Sequence, residues 1–267
     1  MRSRPITSLS VELFAVINAS PDSLNSDSIV AGADQALARA KAMLADGADA
    51  LDLGGQGSTD AAAVVGWETE WQRLAPIVPA LAALGVPLSV DTWRPQVARR
   101  ALEAGATVLN AADGMQTDAM WKVAAEFDVP IVVPFLSGPN PREMKHVEAD
   151  PIDSLIDFFD ARLADADRFG MRHRCIVDPG TGFAPSNWPW EDRYLYQKIV
   201  YSNLDQLRRW NLPLYIALPW KDTPQHWELM EIVLKQQPEY GRVHYPALVR
   251  ALEAKLGVGE HADSGHD

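Results

Sequence analysis

Eight times along the chain, a short apolar run is followed by a longer segment whose apolar residues recur at helical spacing. The pairs are Val11–Ile17 with Ala31–Ala45, Ala48–Leu53 with Trp67–Leu84, Val86–Val90 with Pro95–Ala104, and Thr107–Leu109 with Asp118–Phe127. They continue with Val129–Phe135 and Ile152–Phe169, Cys175–Val177 and Tyr194–Trp210, Leu212–Leu218 and Pro224–Gln236, and Arg242–His244 and Ala247–Leu256. Continuous apolar strands joined through helices belong to parallel sheets covered on both faces. Eight such units favour closure into a barrel over an open, doubly wound sheet, which is the alternative. The expected fold is α/β, a TIM-type (β/α)8 barrel with a shortened or irregular seventh–eighth unit. Tyr240-Gly241-Arg242-Val243-His244 carries little apolar bulk for a last strand. Residues 1–257 are read as one barrel domain and 258–267 as a flexible C-terminal tail.

The 267 residues, 47% of them hydrophobic, suffice for one large core. A formal net charge of −12 argues against nucleic acid and anionic membranes as partners, since both demand a basic face. No apolar run approaches the ~18 residues of a membrane-spanning helix. Val11–Ile17 is short and carries Glu12, so it reads as a first strand rather than a signal peptide. The single cysteine, Cys175, cannot form an internal disulfide and fits a reducing cytoplasm. His261 and His266 lack metal-site spacing and read as solvated.

Asn18, Asp91, Asn110 and Asp178 each stand at the end of an apolar run. A parallel barrel gathers strand-end residues at one mouth, where barrel enzymes do their chemistry. Carboxylates and amides around one hollow suit a flat heterocycle rich in N–H donors. Taken singly, such residues serve equally well as helix caps and turn formers. No Gly-x-Gly-x-x-Gly follows the first strand, which leaves a dinucleotide fold little support.

The motifs in order resemble those of the dihydropteroate synthase family of the pterin-binding superfamily. Asn18-Ala19-Ser20-Pro21-Asp22-Ser23-Leu24 is similar to the family's Asn-Val-Thr-Pro-Asp-Ser-Phe. Asp52-Leu53-Gly54-Gly55-Gln56-Gly57-Ser58-Thr59 resembles Asp-Val-Gly-Gly-Glu-Ser-Thr with one extra residue. Ser89-Val90-Asp91-Thr92, Asn110, Asp178-Pro179-Gly180-Thr181-Gly182-Phe183, Lys221 and Arg242-Val243-His244 follow in the expected sequence. The resemblance implies an enzyme that joins 6-hydroxymethyl-7,8-dihydropterin pyrophosphate to p-aminobenzoate or a related aryl amine, releasing pyrophosphate. It implies that Asp91, Asn110 and Asp178 bind the pterin edge and that Lys221 donates to the ring carbonyl. Arg242 and His244 would hold phosphate oxygens, and Asn18 would help position Mg²⁺. Asp22 would shelter the reacting centre, Ser58 and Thr59 would offer hydroxyls to phosphate, and Phe183 would form an apolar wall. Two other readings stay open: a methyltetrahydrofolate-dependent methyltransferase, and a pterin-binding homologue without turnover.

The chain also departs from the family pattern. Thr59 is followed by Asp60-Ala61 where the family has Arg-Pro, so a phosphate-side cation is replaced by an acid. Ser-Arg-Lys-Ser becomes Pro219-Trp220-Lys221-Asp222, Met-His after the fifth strand becomes Pro134-Phe135, and Asn-Asp becomes Asn110-Ala111. Only 21 positions separate Lys221 from Arg242, too few for the family's long seventh helix, which weakens the homodimer that the resemblance implies. The aromatic stretch around Trp188 and Trp190 reads either as a cover over a shortened unit or as a rebuilt acceptor pocket or protein interface.

Overall fold

The computed structural model describes residues 10–22, 25–59, 62–147, 149–183 and 187–258. Eight parallel strands alternate with helices: β1 (Glu12–Asn18), α1 (Ala33–Ala45), β2 (Ala50–Gly54), α2 (Trp67–Leu74), α3 (Val78–Ala82), β3 (Leu88–Thr92), α4 (Pro95–Glu103), β4 (Val108–Ala111), α5 (Asp118–Phe127) and β5 (Ile131–Pro134). The series continues with α6 (Pro151–Arg168), β6 (Cys175–Asp178), α7 (Trp190–Ser202), α8 (Leu204–Leu207), β7 (Tyr215–Ala217), α9 (Pro224–Lys235), β8 (Tyr240–Val243) and α10 (Pro246–Leu256).

The strand order is β6-β5-β4-β3-β2-β1-β8-β7. A bridge between Val177 and Leu214, with the Val177 amide donating to Pro213 O at 2.9 Å, brings β6 against β7 and almost closes the ring. This is the expected (β/α)8 barrel, and the shortest strand lies in its seventh unit. β7 is three residues long. β8 nonetheless pairs on both sides, with β1 and with β7, so its low apolar content does not keep it from the sheet.

Two helical segments differ from the sequence reading. The stretch Trp67–Leu84 forms two helices because Pro76 has no N–H to give the Gln72 carbonyl and its ring crowds that carbonyl. The Tyr194–Trp210 stretch starts earlier, at Trp190 behind Pro189. Glu191 and Asp192 in its first turn complement the helix dipole. It stops at Ser202, and a short turn of helix then leads to β7.

Side chains along each strand alternate between the helix layer and the barrel interior. Leu13, Ala15, Ile17, Leu51 and Leu53 belong to the large outer core shared with the helices. Phe14, Ala50, Val108, Val132, Ile176 and Tyr215 form a separate inner cluster, with the Tyr215 and Tyr240 rings edge-on to Phe14. That inner plug is apolar and buried, so it closes the barrel as a solid floor. Two residues further along β2, β4, β6 and β8, the same face becomes polar.

Candidate active site

Stepping two positions from the inner cluster gives Asp52 from Ala50, Asn110 from Val108 and Asp178 from Ile176. Arg242 lies two positions beyond Tyr240. Asp91 faces the same way, since it is in register with both Gly54 and Asn110. The polar layer is therefore a consequence of strand periodicity. It opens into a cavity at the strand C-terminal ends, with about 860 Å³ of empty space including its open mouth. Asn18, Asp22, Ser58, Thr59, Asp91, Asn110, Asp178, Phe183, Arg242 and His244 line it. Ten of the eleven residues singled out from the sequence thus meet at one place.

Arg242 is the hub. Its Nε donates to Asp52 Oδ2 at 2.6 Å, and its Nη2 donates to Asp91 Oδ2 at 3.0 Å. Asn110 Nδ2 reaches Asp52 Oδ1 at 3.4 Å. Asp178 Oδ1 accepts the Gly180 amide at 2.8 Å. Gly180 has φ +69°, and a Cβ there would lie 2.2 Å from Phe135 O, so only glycine lets the chain turn back onto the Asp178 carboxylate. Burial pushes the Asp178 carboxyl up to about 7, against the Gly180 amide and Arg242 and with Asp91 and Asp52 adding to the rise. Burial also raises Asp91, which Arg242 opposes and Asp52 reinforces. Arg242 is itself desolvated, but the charges of Asp52 and Asp91 outweigh that and raise its pKa further. Burial, with Arg242 and Arg39 facing it, pushes His244 down to about 3. The imidazole is therefore neutral and can offer one N–H but no charge. Its Nδ1 is buried and has no hydrogen-bond partner among the described residues.

The mouth loops are tied to one another. Asp22 Oδ2 accepts the Ala63 amide at 3.3 Å, and Ser20 Oγ accepts the Gly57 amide at 3.1 Å. Gln56 closes the loop after β2 by donating to Ala63 O at 2.8 Å and accepting from Val65 N at 3.1 Å. Arg142, in the loop after β5, donates to Thr59 O at 2.5 Å and Ala62 O at 2.6 Å. Buried Glu70 accepts from Thr92 Oγ1 at 2.7 Å and pairs with Arg94, whose Nη2 donates to Val65 O at 2.5 Å. Asp60 lies outside the described residues.

Lys221 is the exception among the expected site residues. It is exposed, it does not line this cavity, and its Nζ lies 5.7 Å from the Trp220 ring centroid. The short link from β7 to α9 brings the large Trp220 indole to the cavity wall, and the next residue faces the other side. Trp188 and Trp190 do not line the cavity either. Trp188 is 5% exposed and packs on His146 and Tyr196, while Trp190 stacks on His226 at 4.3 Å. Both pack against neighbouring elements of the last third of the chain or the loop after β5 rather than into the mouth.

Sequence reading gave no role to Asp52, Asn25, Gln56, Trp220 or Arg142. Asp52 was findable: a charge within Leu-Asp-Leu on a buried strand has to be paired. Arg142 had no such mark, because it meets its partners only across the barrel mouth. No cluster of three or more His, Cys, Asp or Glu side chains able to hold a metal occurs among the described residues. Asn18 lines the cavity, oriented by Nδ2 donating to Ser28 Oγ at 2.7 Å. One amide oxygen suits magnesium, which takes hard oxygen ligands and keeps most of its shell for water and substrate phosphates.

A family model described as "Pterin binding enzyme" matches residues 14–218. The chain belongs to the pterin-binding enzyme family. The type-2 dihydropteroate synthase of Escherichia coli is 32% identical over 215 residues, covering 79% of this chain and 78% of that protein. The Synechocystis dihydropteroate synthase is 32% identical over 211 residues, covering 77% and 70%. Among solved structures, this chain superposes on Yersinia pestis dihydropteroate synthase in complex with a sulfonamide drug. The TM-score is 0.79 at 25% identity, over 92% of this chain and 94% of that one. The Thermus thermophilus dihydropteroate synthase in complex with 4-aminobenzoate gives a TM-score of 0.76 at 27% identity, over 92% and 93%.

Proposed function

We propose that this pterin-binding enzyme is a dihydropteroate synthase: it condenses 6-hydroxymethyl-7,8-dihydropterin pyrophosphate with an aryl amine of the p-aminobenzoate type. The observation that carries the reading is the convergence of Asp91, Asn110 and Asp178 on one rim of the mouth cavity. A pterin offers a 2-amino group and an adjacent ring N–H, a two-point donor edge that a carboxylate accepts. Asn110 serves the remaining edge, since an amide both donates and accepts. Site groups that would be left unpaired by other rings make this recognition selective. Arg242 supplies one positive charge among the three carboxylates Asp52, Asp91 and Asp178.

In the reaction, the acceptor nitrogen forms a bond to the pterin methylene carbon as the carbon–oxygen bond to pyrophosphate breaks. Pyrophosphate leaves with the bonding pair, and the amine gives up a proton. The electron-rich pterin spreads positive charge at the methylene, so stabilising the leaving group matters more than a strong base. Arg242 and the neutral His244 N–H face the phosphates, with the Ser58 and Thr59 hydroxyls across the mouth. Asn18 would hold Mg²⁺ arriving with the pyrophosphate, and the ion would neutralise charge on the departing oxygens. Asp22 and Phe183 shelter the acceptor side. In this reading Lys221 is no longer a ring-carbonyl donor. Cytoplasmic residence, in keeping with the buried free thiol Cys175, belongs to the same proposal. So does a homodimer, for which exposed Leu195 and Ile199, one turn apart on α7, provide apolar surface.

The test is to incubate the protein with the pterin pyrophosphate, Mg²⁺ and p-aminobenzoate and follow pyrophosphate release. Stoichiometric product with turnover is expected. Retained pterin binding by calorimetry with no release at high protein concentration would leave a pterin-binding homologue without turnover. The displaced Lys221 gives that second reading its support.

A further inference from the structure

A second pocket, of about 550 Å³ of empty space, lies beside the mouth cavity between α9 and α10. Every described residue lining it falls between Pro219 and Val249, beyond residue 218, where the match to the family model ends. Among the described residues, Trp220 is the one shared with the mouth cavity. Its indole stands 5.3 Å from the His244 ring and 6.5 Å from Tyr245 by centroid, so one side chain separates the polar site from the second pocket.

The lining is aromatic and aliphatic: Trp220, Trp227 and Tyr245 around Met230, Leu248 and Val249. Lys221 and Asp222 bring charge to it. Asp222 Oδ1 already accepts from Trp227 Nε1 at 2.8 Å, which fixes that indole in the wall. Five large hydrophobic side chains are exposed among the described residues, and two of them, Trp227 and Leu248, belong to this pocket. Concave apolar lining with few polar groups is the usual form of a small-molecule subsite, and aromatic walls suit a flat ring.

We propose that this pocket receives the group an aryl-amine acceptor carries para to its nitrogen, and that this group is an apolar aromatic extension. Trp220 is then the specificity-determining residue: the acceptor ring lies against its cavity side, and the extension passes over the indole edge. The proposal rests on the synthase reading for the place of the amine. It adds that the preferred acceptor is larger than p-aminobenzoate.

The experiment compares p-aminobenzamide with its N-benzyl amide. Both binding and turnover are measured, with binding followed by tryptophan fluorescence on protein saturated with 6-hydroxymethylpterin and inorganic pyrophosphate. The benzyl amide is expected to bind at least tenfold more tightly. Leu248→Trp, a substitution at a partly exposed helix position, is expected to fill the pocket. It should remove that advantage while leaving p-aminobenzamide within twofold. Trp220→Ala should weaken both amines. Equal affinities in the unsubstituted protein, or an advantage that survives Leu248→Trp, would overturn the proposal. Binding is read without turnover, so a protein that binds the benzyl amide selectively but forms no product would overturn the synthase reading and leave the pocket assignment standing.

Discussion

Asp52 has no exposed surface, and its charge is tolerable because Arg242 and Asn110 both donate to it. Arg242→Met leaves that carboxylate buried without its cation. Denaturant unfolding should then show a loss of about 3–5 kcal/mol, the range for breaking one side of a buried pair. The raised carboxyls of Asp178 and Asp91 carry a pH signature. Their folded pKa values lie above the unfolded value, so the stability they contribute is full at low pH and lost as pH rises through about 7 for Asp178. Neutral His244 acts in the opposite sense: its folded pKa of about 3 lies below the unfolded value, so its contribution is lost as pH falls through the range between the two. Ligand binding is the cleaner readout. A pterin edge needs ionised acceptors, so binding at pH 6 should release protons, and affinity should rise with pH until about 7 and then level off. Calorimetry in buffers of different ionisation enthalpy measures the release directly. In Asp178→Asn the release should shrink and affinity should fall by roughly 10–100-fold, about 1.4–3 kcal/mol.

The mouth loops draw their shape from other elements as much as from their own residues. The loop after β2 is held from three sides, by Asp22, by the Glu70–Arg94 pair and by Arg142. Arg142 reaches carbonyls 80 and 83 positions away in sequence, tying the loop after β5 to the one that carries Ser58 and Thr59. Arg142→Ala should raise KM for the pterin pyrophosphate about 3- to 10-fold with kcat within twofold. Its stability cost should be about 1 kcal/mol, as for a few partly exposed hydrogen bonds. A lysine at 142, which keeps charge and reach but not the fork, should recover part of the KM. At this scale the strands were legible from apolar runs and the helix stops from glycine and proline. The break at Pro76 was equally visible in sequence, but the periodicity on either side masked it.

Across the whole molecule the barrel is uneven. β1 pairs with β2 over five residues, from Phe14 with Ala50 to Asn18 with Gly54. The β6–β7 seam has one bridge. Fewer shared backbone hydrogen bonds mean a lower local opening free energy. Native-state hydrogen exchange should therefore find the Val177 amide exchanging well before those of Ala15 to Ile17. A seam amide protected as strongly as β1 would show that side-chain packing around Tyr201 and Leu214, not the ladder, holds the ring closed.

Periodicity in the sequence was enough to specify a (β/α)8 barrel and to send Asp91, Asn110 and Asp178 to one mouth, because strand parity and parallel winding leave few other places for them. Only the tertiary structure decided which charges neutralise one another: Arg242 takes Asp52 and Asp91, a choice made by distance across the barrel rather than along the chain. It also decided where the last units send their side chains. A short turn after β7 carries Trp220 to the cavity and Lys221 away from it, and no motif spacing encodes the direction of a turn whose course is set by the helices packed around it.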